Sequence, residues 1–158
     1  MSSRRAPEDR IAPSTTDAIP RHVPIATLET LFDRTPDTVF FVKDRDGRYV
    51  AVNQTLVERC GARSKGDLVG RTAEDVFGPF GRDFREQDRQ VLERGVEVRD
   101  RLELHLYRGR HPGWCMTHKV PLHDAPDAGA DGIVGLIGLS RDLQPPDERV
   151  DSIFGRLA

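Results

Sequence analysis

The chain has 158 residues, 37% of them hydrophobic and 32% charged, with a formal net charge of −2. That is the length of one ordinary domain plus some tail, and the modest apolar share allows only a small core. The near-neutral charge argues against a nucleic-acid or anionic-membrane partner, no apolar run approaches the thickness of a bilayer, and no signal-peptide core follows Arg4 and Arg5. Cys60 and Cys115 form neither a disulfide framework nor a CxxC site, so a cytoplasmic protein with reduced thiols is expected.

Residues 1–24 combine prolines, Ser, Thr and charges without periodicity and are expected to be a disordered tail. Over 25–35, Ile25, Leu28, Leu31 and Phe32 recur at helical spacing and predict a short amphipathic helix ending before Pro36. The folded domain is expected over 36–144. "TVFFVK" reads as a strand, "DRDG" as a turn using the permissive backbone of Gly47, and "RYVAVN" as the returning strand. Asn53 is suited to cap the helix "QTLVERC", which Gly61 closes.

Two short helical turns follow in "SKGDLVG" and "TAEDVFG", opened by Ser64 and Thr72. A longer helix is expected from about Arg82 to Arg94, stopping at Gly95. Its acidic and basic residues read as a solvated face with i,i+4 pairs. Three strands complete the domain: "VEVRDRLELHLY", with Leu102, Leu104 and Leu106 on one side, then "WCMTHKVPL" and "DGIVGLIGLSRDL". Two strands, four helical pieces and three strands predict an α+β domain, a five-stranded antiparallel sheet with helices on one face inserted after strand 2. Residues 145–158 space Val150, Ile153, Phe154 and Leu157 as one apolar helical stripe, read as a linker helix leading to an effector beyond Ala158.

The ordered series "VFFVKDRDGRYVAVNQT", "LVG" with its short helices, "DRQVLERGVEV", "GWCMTHKVPLHD" and "GIVGLIGLSRDL" resembles a PAS domain over Leu31 to Leu143. The resemblance implies a bacterial sensory module such as those ahead of AraC-type regulators or in sensor kinases. It further implies a cavity between sheet and helices, lined by residues drawn from Phe41, Val52, Leu56, Val76, Phe84, Leu104, Met116, His118 and Leu136. Asp142 matches the first position of the family's Asp-aliphatic-Thr/Ser output motif, whereas Gln144 departs from its third.

The cofactor is unknown. "GRTAEDVFGPFG" lacks the cysteine of a LOV photosensor and "RDFREQDRQVLERG" lacks a haem-ligating histidine, which argues against flavin and haem. The other histidines read as scattered surface residues. His118 shares strand parity with Trp114, Met116, Val120 and Leu122, so it is expected in the core or as a polar contact inside the cavity. No catalytic spacing stands out, and the enzyme hypothesis has no residues to name. Apolar residues of both parities near the C-terminal strand predict a second cover, supplied by the Ile25–Phe32 helix, a second copy of the domain or both, and the favoured reading is a homodimer whose interface uses Ile25, Leu28, Leu31 and Phe32. The reading is a non-catalytic, small-molecule-binding input module without direct nucleic-acid or membrane contact. Its alternative is a ligand-free PAS module for dimerisation or partner docking.

Overall fold

A computed structural model of the protein describes residues 22–107 and 111–143. The expectations for the tail over 1–21 and for the linker helix lie outside these residues. The elements are α1 (Ile25–Phe32), β1 (Thr38–Asp44), β2 (Tyr49–Val52), α2 (Gln54–Cys60), α3 (Ala73–Phe77), α4 (Gly81–Arg94), β3 (Val98–Leu106), β4 (Pro112–His123) and β5 (Ile133–Asp142). A single 3-10 turn at Lys65–Asp67 precedes α3, and another at Gly78–Phe80 leads into α4. The strands form one antiparallel sheet in the order β2-β1-β5-β4-β3, as the α+β reading requires.

The first hairpin is set by its turn chemistry. Asp44 Oδ1 accepts the amides of Asp46 and Arg48, and Gly47 takes a φ of 75° that a side chain would disfavour. Asn53 then does more than cap α2. Its Oδ1 accepts from Leu56 N and Phe40 N, while its Nδ2 donates to Phe32 O and Thr38 O. One buried amide therefore joins α1, β1 and α2. The capping box at Thr72 and Asp75 starts α3 in the same spirit.

Helices α2, α3 and α4 pack on one face of the sheet over a core that includes Val39, Phe41, Val52, Leu56, Val91 and Leu136. The opposite face is partly covered by α1, whose Leu28 and Phe32 lie against Phe40, Val42 and Ala51. The Phe32 and Phe40 rings stack at 4.6 Å. Strand β1 is consequently buried on both faces, which explains why "TVFFV" is continuously apolar. Of the four residues expected at a dimer interface, Leu28 and Phe32 pack within the chain, whereas Ile25 and Leu31 are exposed.

Candidate functional site

The face of each strand fixes what the helix-covered core contains. On β4, Cys115, Thr117 and Lys119 point inward and are buried, while Trp114, Met116, His118 and Val120 take the other face. On β3, Glu103 and His105 point inward and Leu102 and Leu104 outward, 53% and 38% exposed. Three of the nine expected lining residues, Leu104, Met116 and His118, therefore lie on the wrong side of the sheet. The physical reason is that both faces here carry apolar residues, so hydrophobicity does not identify the inner one. His118 lies instead beside Asp100, whose amide donates to its Nδ1 at 3.4 Å.

Phe41, Leu56 and Phe84 surround a small internal cavity, together with Lys43, Tyr49, Phe77, Glu103, His105 and Lys119. Val52, Val76 and Leu136 belong to the adjoining apolar core without bordering it. The cavity measures about 10 Å³, room for roughly one water. Its apolar walls are aromatic: Phe77 and Phe84 meet edge to face at 5.9 Å, and Phe84 stacks on His105 at 4.5 Å.

The polar wall departs most from the sequence reading. Asp88, expected on a solvated helix face, is buried on α4 and bridges two buried ammonium groups. It pairs with Lys43 of β1 through Oδ2 and with Lys119 of β4 through Oδ1, the latter at 2.7 Å. Lys119 Nζ also reaches Phe84 O at 3.4 Å, and Lys43 Nζ sits 4.5 Å from the centre of the Tyr49 ring. Burial opposes the charge of Asp88, but the two lysines outweigh it and hold the carboxyl below its ordinary range. Burial pulls the Lys43 ammonium down, against the Asp88 charge.

Beside this triad, Gln87 Nε2 donates to Glu103 Oε1. His105, expected at the surface, is 7% exposed, with Nε2 3.5 Å from Glu103 Oε2. Burial works to raise the Glu103 carboxyl, yet His105, Thr117 and Lys119 outweigh it and bring it down to about 2. Strand parity was the available signal. Val39, Phe41 and Lys43 alternate on one side, as do Cys115, Thr117 and Lys119, so placing Phe41 inward also places Lys43 inward.

A second buried ion pair lies at the end of the sheet. Arg59 of α2 binds Asp142 of β5, and Cys115 Sγ stands 3.5 Å from Asp142 Oδ1. Burial and the Asp142 charge push the Cys115 thiol up to about 12, the opposite of a reactive cysteine. Among the described residues, no group of three His, Cys, Asp or Glu could hold a metal ion. No helix among them is long and apolar enough to cross a membrane.

The family model described as the PAS fold matches residues 32–147, and the chain belongs to that family. Among solved structures, the VqmA dimer of Vibrio cholerae, described as a LuxR-type receptor, is similar with 28% identity and a TM-score of 0.61. The match covers 78% of this chain and 52% of VqmA. VqmA bound to DPO matches with 29% identity and a TM-score of 0.59, over 77% of this chain and 58% of that one. The chain thus spans little more than half the length of these relatives. The PAS domain of Bordetella pertussis BvgS shares the fold at 20% identity and a TM-score of 0.55, covering 83% of this chain and 94% of its own. Comparison with curated proteins by sequence gives no match.

Proposed function

We propose that the domain is a non-catalytic sensor that binds a small molecule in the space between α2–α4 and the sheet, and that it is the input module of a transcription regulator or sensor kinase. The observation that carries this reading is the buried cluster of Lys43, Asp88, Lys119, Glu103 and His105 around the internal cavity. An apolar core of the same volume would be as stable or more so, because burying ion pairs costs several kcal/mol of desolvation. Convergent polar groups among aromatic walls are what ligand recognition requires. VqmA, similar over the same fold, has been solved bound to DPO. Asp142, tied to α2 where β5 ends, is assigned to passing the change onward.

The test is native mass spectrometry of the purified protein, followed by thermal denaturation with DPO and a metabolite library. A co-purified mass, or stabilisation of about 2.7 kcal/mol at a ligand concentration a hundredfold above Kd, is expected. Clean protein with no shift across the library would overturn the reading. The second reading, a ligand-free dimerisation module, has its own support in a cavity that holds about one water.

A further inference from the structure

The inner cavity holds only about 10 Å³, so a ligand larger than water must displace one of its walls. The central strands are hydrogen-bonded on both sides, and α2 is tied down by Asn53 and by the Arg59–Asp142 pair. Besides Tyr49 of β2 and Phe77 of α3, the cavity is walled by the seam between α4 and β3, an edge strand whose register shifts between Val98 and Arg101. Outside that seam lies a cleft of about 190 Å³, and Phe84 and Glu103 line both the cleft and the inner cavity. Phe84 and Glu103 are thus shared by the two spaces, and Gln87 holds Glu103 from the cleft side.

Two buried acceptors there lack a donor in good hydrogen-bonding geometry, although His105 and Thr117 stand close enough to Glu103 to hold its carboxyl down. Gln87 and Glu103 are 8% and 6% exposed, yet Gln87 Oε1 and Glu103 Oε2 accept no hydrogen bond among the described residues. His105 Nε2, at 3.5 Å, is too distant to satisfy Oε2. A buried acceptor left unpaired is costly, so a ligand that donates to it gains more than an ordinary hydrogen bond. The nearby ammonium groups are already engaged by Asp88, and the charges of Lys43 and Lys119 are balanced by Asp88 and Glu103. An ionic ligand would bring an uncompensated charge into this environment.

We propose that Gln87 and Glu103 form a recognition subsite at the α4–β3 seam for a small, uncharged ring bearing an N–H or O–H donor, which enters by parting their contact. This rests on the reading that the domain binds a small molecule. The test uses phenol, anisole and benzoate, one ring as an uncharged donor, as its methylated counterpart and as an anion. Binding at millimolar concentration is followed by NMR on the Gln87 side-chain amide and on the Leu56 and Leu136 methyl groups.

Phenol is expected to shift the Gln87 amide, and anisole and benzoate to leave it unmoved. Glu103→Gln should weaken phenol binding about tenfold. Gln87→Leu removes the second acceptor but frees Glu103 Oε1 to accept from the ligand, so it should weaken phenol binding less than Glu103→Gln does. Phenol that leaves the Gln87 amide unmoved, or anisole that binds as well as phenol, overturns the subsite. Methyl shifts at Leu56 or Leu136 without a Gln87 response overturn it too, but leave small-molecule binding in place. A phenol response at Gln87 together with a blank metabolite library would instead remove the sensory reading while the subsite stands.

Discussion

Single side chains carry unusual weight in so small a domain. Asn53→Ala removes four hydrogen bonds at once and leaves Phe40 N and Thr38 O without their buried partner. The expected loss is about 3 kcal/mol, read as a lowered urea midpoint with an unchanged slope. Asp88→Asn strands two buried lysines and should cost about 3–5 kcal/mol. Replacing all three members together with Glu103, as Lys43→Met, Asp88→Leu, Lys119→Met and Glu103→Gln, leaves no uncompensated buried charge and should return most of that stability in the same urea titration while abolishing ligand binding. A quadruple variant that still binds would show the cluster to be structural. Acid adds a further readout at Glu103, whose folded carboxyl lies near 2 against an ordinary 4.5. The unfolded chain therefore takes up this proton first. The Glu103 contribution is complete above about 4.5 and drains away as the pH falls toward about 2. Glu103→Gln should flatten the pH dependence of the denaturation midpoint across that window.

At the scale of elements, the Arg59–Asp142 pair couples α2, which lines the cavity through Leu56, to the end of β5. Asp142→Ala leaves a buried guanidinium unpaired and should cost about 3 kcal/mol. Amide exchange should accelerate most within Gln54–Cys60, and acceleration spread evenly over the domain would deny the pair this local role. The elements themselves were legible from sequence, because Gly47, Asn53, Gly61, Thr72 and Gly95 are punctuation whose chemistry is local. Which face of a strand turns inward was not. Helix α1 and the exposed side of β3 and β4 make the outer face nearly as apolar as the inner one, and the leucines of "LELHL" point away from the core they were expected to fill. The same ambiguity hid Asp88. Its charge pattern on α4 resembles a solvated face until two strands, far apart in sequence, deliver Lys43 and Lys119 to it.

For the whole molecule, the outer face poses the remaining energetic question. Helix α1 covers β1 and β2 but leaves Trp114, Leu102 and Val120 exposed, and Val120 lines a groove of about 200 Å³ with Leu28, Phe32, Ile137 and Leu139. Covering a side chain of this size is worth about 1.5–3 kcal/mol, so several together favour an assembly. The self-complementary solution is a twofold contact between two copies of this face. Sedimentation equilibrium at micromolar concentration should give a dimer. Leu139→Glu places a charge in the groove without touching the helix-side core, and should yield a folded monomer with an unchanged circular dichroism spectrum. A wild-type protein that sediments as a monomer would sink the homodimer. Leu31→Glu is the sharper control, because Leu31 is 62% exposed on α1 and does not line the groove. If it splits the dimer and Leu139→Glu does not, the copies meet through their N-terminal helices rather than across the sheets.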